Sequence, residues 1–314
     1  MLTWRYHLLS LMALFLALGL GVLIGIGISG NGVLEVSREE IVSGIQQDLD
    51  GLRAENNTLS RDRATSLRFQ DDTFPFLVGA RLQGKKIAVV ASSTSGDEIQ
   101  RNLTSAINGA GGQVVSTTIL NSRFDVVATA AKLKTDPQFA NIDEAQFAGL
   151  VGKQMAADIG KAGGSKLLPA LQGTLVESTS GRYDLPVDAV VLITRADDIQ
   201  VPAYGDLEKR LLLGLKDLGL PAVGTEPADA PRSEIPLFLS VDVSSVDNLD
   251  SRIGQVSLVY VLAGEKGAFG VKPTADMLIP ILRIPKLQVP AAGATTAGAA
   301  PATTTAPDTP AATP

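Results

Sequence analysis

Two short polar stretches stand where this chain could do chemistry. Residues 92–97 (Ser92, Ser93, Thr94, Ser95, Gly96, Asp97) follow an apolar run over 87–91, and Arg195, Asp197 and Asp198 follow an apolar run over 187–194. If those runs are parallel strands, both stretches lie beyond carboxyl ends, where open α/β sheets bind their ligands. Neither carries a recognised motif. The first lacks the Gly-Lys-Ser/Thr of a phosphate-binding loop, and the glycines of Gly109-Ala110-Gly111-Gly112 follow a helical pattern, whereas a dinucleotide fingerprint needs them after a strand. The single histidine, His7, lies beside a long apolar segment, so a triad has no base. Asp197 and Asp198 form an acid pair without a supporting pattern. No catalytic, cofactor-binding or metal-ligating residue is assigned, and the chain is expected not to be an enzyme.

The elements that position these stretches read as alternating strands and helices. The run over 87–91 is followed by helical spacing at Ile99, Leu103 and Ile107, then by a strand pattern over 113–120. Such a unit builds parallel sheets covered by helices. The pattern returns with a strand over 187–194 and a helix over 204–218 that aligns Leu207, Leu211, Leu215 and Leu218. A short strand over 221–224 and a strand candidate over 235–243 come next. Residues 125–171 read as mostly helical, with Ile142, Phe147, Leu150, Val151, Met155 and Ile159 inward. A further helix over 248–263 buries Ile253, Val256, Val259, Tyr260 and Leu262. The fold class expected is α/β, a doubly wound, mainly parallel sheet of about four or five strands.

Ahead of this domain, residues 8–28 carry no charge, and about 21 residues at ~1.5 Å each match the ~30 Å hydrocarbon core of a bilayer. Trp4 and Tyr6 favour the headgroup level, and Arg5 places positive charge on the N-terminal side, so the N-terminus is expected in the cytoplasm. A cleaved signal peptide is the alternative; its apolar region would run only ~7–15 residues and end at an Ala-x-Ala-like site, which this segment lacks. Ala13, Ala17, Gly21, Gly25 and Ser29 recur every four residues, a small-residue stripe that lets two helices approach closely.

Residues 37–67 follow with a heptad pattern. Val42, Leu49, Asn56 and Arg63 occupy position a, and Ile45, Leu52 and Leu59 position d. Asn at a fixes two-stranded register, and Asp48 at g reaches Arg53 at e of a partner helix. Both features suit a parallel homodimer, the arrangement that two chains anchored in one membrane adopt. Packing of this helix on its own domain is the alternative, since Arg38 and Arg63 sit at core positions and Gly44 and Gly51 lie within the helix. The dimerisation residues assigned are Ala13, Ala17, Gly21, Gly25, Val42, Ile45, Leu49, Leu52, Asn56 and Leu59. The organisation expected is an anchor over 1–30, a coiled-coil stalk over 31–75, an extracytoplasmic α/β domain over 76–288, and a tail over 289–314. That tail is almost entirely Ala, Thr, Pro and Gly and cannot bury a core.

Composition narrows the partners. The chain has 314 residues, no Cys, 27 basic and 33 acidic residues, and a formal charge of -6. Nucleic acid is not expected as a partner, because phosphate binding needs a basic face. Disulfides and thiolate metal sites are excluded.

The opening WRYHLLSLMALFLALGLGVLIG and the late stretch DNLDSRIGQVSLVYVLAGEKGAFGVKP over 247–273 resemble the actinobacterial copper transporter family named for the mycobacterial copper transport protein B. The resemblance spans most of the chain up to about residue 285 and implies copper homeostasis or efflux at the cell envelope, with a proposed outer-membrane pore. Copper favours Cys, Met and His, and the donors here are His7, Met1, Met12, Met155 and Met277. The second functional reading is a dimeric extracytoplasmic scaffold for an envelope protein in cell-wall remodelling or division, with any copper effect indirect. The expected topology is testable: protease added to intact spheroplasts should digest everything after Gly30, whereas protection of the α/β domain would reverse the orientation.

Overall fold

A computed structural model describes residues 3–30, 33–93, 95–196 and 201–281. Two helices lead. α1 (Thr3–Gly30) contains a segment long and apolar enough to cross a bilayer, Trp4–Gly27, and α2 (Val33–Val78) is a rod whose apolar side chains from Val42 to Phe69 are exposed. The expected tail over 289–314 lies outside the described residues.

Seven strands form one sheet: β1 (Lys86–Ser92), β2 (Gln113–Leu120), β3 (Val176–Gly181), β4 (Ala189–Ile193), β5 (Ala222–Thr225), β6 (Ser244–Val246) and β7 (Ala268–Phe269). Their order is β3-β2-β1-β4-β5-β6-β7, and every pairing is parallel except β2 with β3. The expected α/β fold with a mainly parallel sheet is observed, with more strands than periodicity located. β1 and β4 stand at the centre as continuous apolar runs because helices cover both faces.

On one face lie α4 (Val126–Leu133), α5 (Glu144–Gly160), α6 (Leu167–Leu171), α7 (Pro202–Asp217) and α8 (Ile235–Ser240). Phe147, Val151, Met155 and Ile159 of α5 share a core there with Leu207, Leu211 and Leu215 of α7. Leu150, grouped with the inward residues in the sequence, is exposed because the buried stripe of α5 advances by four from Phe147 and leaves it on the flank. On the other face, α3 (Asp97–Gly109), α9 (Arg252–Ala263) and the end of α2 enclose a second core containing Val78, Leu82, Leu103, Ile107 and Val259.

Three departures from expectation have local causes. Residues 235–243, read as a strand, form helix α8 and lead into β6. Pro236 pre-sets the first helical turn, and burial of Ile235 with Phe238 follows a spacing of three. β3, not expected from the sequence, is an edge strand with exposed Glu177, Ser178, Thr179 and Ser180, so it shows no apolar alternation. β7 has two residues, too few for any periodicity.

The last turns of α2 run alongside α9. Arg252, at the start of α9, donates to Asp71 at 2.7 Å, and Tyr260 near its end donates its hydroxyl to the Leu77 carbonyl at 3.3 Å. α9 begins at the carboxyl ends of the strands, so the rod enters the domain from that side before turning into β1.

Gly224 in β5 is closely packed in the core, since a Cβ there would stand 2.3 Å from the Phe238 ring. Gly224→Ala should destabilise the domain by about 1–3 kcal/mol through overpacking. Gly205→Ala, in open space on α7, should be neutral or stabilising by up to ~1 kcal/mol. Thermal unfolding of both variants checks the contrast.

Candidate functional site

Strand order reverses between β1 and β4, which makes the carboxyl ends of these strands the place to look for a site. Both sequence-predicted stretches begin there. Ser92 and Ser95 are buried, and the Ser95 hydroxyl donates to the Ser92 carbonyl at 2.7 Å, closing the turn on itself. Asp97 opens α3, where a carboxylate complements the helix N-terminus. Arg195 forks onto Asp229, its two terminal nitrogens at 2.8 and 3.1 Å from the carboxylate oxygens. Asp197, Asp198 and Thr94 lie outside the described residues.

The structure adds residues that periodicity did not flag. Tyr204, in the first turn of α7, is buried with its phenol hydrogen-bonded to Ser92 and to Glu208 one turn later. Glu208 is also buried, and its Oε2 has no hydrogen-bond partner among the described residues. Burial pushes the Glu208 carboxyl well above its ordinary range, and the nearby Glu234 carboxylate adds to the shift; the Tyr204 hydrogen bond and Arg232 oppose it. Burial likewise raises the Tyr204 phenol, with Glu208 contributing. Glu234 accepts from Arg232 at 2.9 Å. The cluster sets a buried carboxyl, whose proton burial favours, against a buried phenol.

A second buried network follows β5 and β6. Glu226, fully buried, accepts from Lys272 Nζ, from the Ser233 hydroxyl at 2.7 Å and from the Glu234 amide at 2.7 Å. Asp247 accepts from the amides of Val271 and Lys272 at 2.7 and 2.9 Å. Gly270, at φ 144°, passes so close that a Cβ would stand 1.8 Å from Asp247 Oδ1. Asp250 accepts from the Ala228 amide at 2.7 Å, and Ser251 caps α9. Each carboxylate is satisfied, so the stretch that carries the family resemblance acts as a clamp joining three loops.

Copper donors are scattered. Met155 is fully buried in the α5–α7 core, Met277 stands half-exposed beside β7, and His7 and Met12 belong to α1. Among the described residues no group of three or more His, Cys, Asp or Glu could hold a metal ion. An open groove of about 830 Å³ runs along α3, lined by Gln100, Thr104, Asn108, Thr117 and Ser180 among others.

The dimerisation residues all present free surface in the single chain. Ala13, Ala17, Gly21 and Gly25 lie exposed on α1, and Val42, Ile45, Leu49, Leu52, Asn56 and Leu59 lie exposed along α2.

These features define a class: a doubly wound α/β domain, clamped by buried charge pairs, carried on a long helix behind an apolar segment of 24 residues that could cross a membrane. The chain belongs to the family described as copper transport outer membrane protein, MctB, whose model matches residues 1–280. It is similar to proteins named Copper transporter MctB from Mycobacterium bovis and Mycobacterium tuberculosis, at 29% identity over 140 residues. That match covers 43% of this chain and 43% of each relative, less than half the length of the curated proteins it matches.

The raised Glu208 carboxyl sets a pH dependence. The folded state keeps its proton where the unfolded chain releases it, so the stability it contributes is full below the ordinary glutamate range near pH ~4.3 and falls as pH rises above it. Glu208→Gln should therefore melt with the parent at pH 4 and above it at pH 8. A difference independent of pH would contradict this account.

Proposed function

We propose that this chain is a membrane-anchored, non-enzymatic cell-envelope protein of copper homeostasis that acts as a dimeric scaffold for an envelope partner, rather than by carrying copper itself. The names of its relatives support the copper connection. The donor inventory supports the indirect role and is the observation that carries it. Beyond α1 the chain has two thioethers, and one of them, Met155, is fully buried in a packed core. Carboxylates without imidazole or thiolate make weak, unselective copper sites.

The sheet geometry supports the same reading. Its two edges, β3 and β7, are separate, and helices cover the central strands on both faces, whereas an outer-membrane pore is a closed barrel of alternating strands. In the proposed arrangement the N-terminus is cytoplasmic, α1 crosses the cytoplasmic membrane once, and two copies associate in parallel through α1 and α2. Their domains stand outside the membrane and present loops around residues 92–97 and Arg195 to a partner.

Two measurements test this. The full-length chain in detergent, titrated with Cu(I) against a moderate chromogenic chelator, should withdraw no stoichiometric copper. In a strain whose copper tolerance depends on this protein, Met155→Leu with Met277→Leu should restore tolerance as well as the parent does. A tight site of defined stoichiometry, or failure of a well-folded double variant, would favour direct copper handling as the relatives' name implies.

A further inference from the structure

We propose that the two copies of α2 pair only as far as about Leu59 and separate before Gln70, because beyond that point the chain's own domain takes the face that would meet the second copy. The inference rests on the dimer reading above and specifies where that interface ends.

The heptad frame runs on past the apolar seam. Position a is filled by Val42, Leu49, Asn56, Arg63, Gln70 and Leu77, and position d by Ile45, Leu52, Leu59, Ser66 and Thr73. The first members are apolar, apart from the register-setting Asn56, and they remain exposed in the single chain: Val42 by 52%, Leu52 by 64% and Leu59 by 61%. From Arg63 to Thr73 the same positions are polar. A heptad stripe drifts ~20° per heptad on a straight helix, about 40–60° over the two or three heptads beyond Asn56 and Leu59, so Gln70, Thr73 and Leu77 still face within a quarter turn of the end of the seam.

In that direction lies the domain. Phe74 and Val78 are buried in the α3–α9 core, and Gln70, Thr73 and Leu77 are partly covered. The Arg252 guanidinium sits 5.0 Å from the Phe74 ring centroid and donates to Asp71, while Arg81 stacks 4.0 Å from the Tyr260 centroid. Paired helices pack with axes ~8–10 Å apart, the space that α9 already fills. One face cannot hold both α9 and a second α2.

The occupant of the earlier seam is a second copy of this chain. Asp48 at g and Arg53 at e form complementary pairs between identical parallel helices. Arg53 now bonds Asp50 at 3.0 Å on its own helix, a pair exposed enough to exchange. Between seam and domain, α2 remains helical and residues 60–69 are solvated on every side. Arg61, Asp62 and Arg63 lie in this stretch, where the two rods part. The dimer then holds two separate domains on diverging arms, each entered from the carboxyl-end side of its sheet.

The chain has no cysteine, so single-cysteine variants report cleanly. Full-length protein in detergent carrying Ile45→Cys, Leu52→Cys or Leu59→Cys should form disulfide dimers under mild oxidation, while Ser66→Cys and Thr73→Cys should stay monomeric on non-reducing gels. Thermal melts confirm that each variant is folded. Crosslinking at Ser66 and Thr73 as efficient as at Leu52 would overturn the early separation and leave the dimer standing. A monomeric parent by light scattering, with no variant crosslinking, would overturn the dimer itself.

Discussion

The docking of α2 on α9 is the constraint on which the rest of this molecule depends. A helix has one apolar stripe, and here its last turns bury Phe74 and Val78 under α3 and α9 while Arg252 and Arg81 lie over the adjoining aromatic rings. This joint makes the rod continuous with the domain instead of a flexible tether. It also sets the pose of the sheet, whose carboxyl edge faces back along the rod. A dimer seam, if carried by the same stripe, is confined to the stretch the domain leaves open.

The described polar groups at the carboxyl edge of the sheet, where open α/β sheets bind ligands, largely bond one another. Here Ser95 bonds its own turn, Arg195 grips Asp229, and Glu226 is enclosed by Lys272, Ser233 and the Glu234 amide. Glu208 is the exception: its Oε2 has no partner among the described residues, and burial, with the neighbouring Glu234, raises its pKa. Desolvated charges of this kind are tolerated because each finds a partner or takes up a proton. The result is a clamp that holds loops in place.

The chain belongs to a copper-transport family, yet its own copper donors are few. The thioethers lie apart, one of them sealed in a core, and no imidazole lies beyond α1. The proposed connection to copper through a partner requires no metal ligand in the domain.

The sequence by itself determined the elements whose signal is local. The uncharged apolar segment, the heptad stripe of α2, the continuous apolar runs of β1 and β4, and the leucine face of α7 follow from periodicity and burial, so each was legible in a window of a few turns. The tertiary structure alone decided the rest. β3 is a strand because β2 offers it an edge, and residues 235–240 are helical because Pro236 starts a turn that Phe238 can bury against Gly224. Tyr204 and Glu208 meet Ser92 and Glu234, far away in sequence, only in the folded chain. The stripe of α2 was legible as apolar, but which body covers it was not. Periodicity fixes only that a face must be buried, and the supply of partners within reach settles against what.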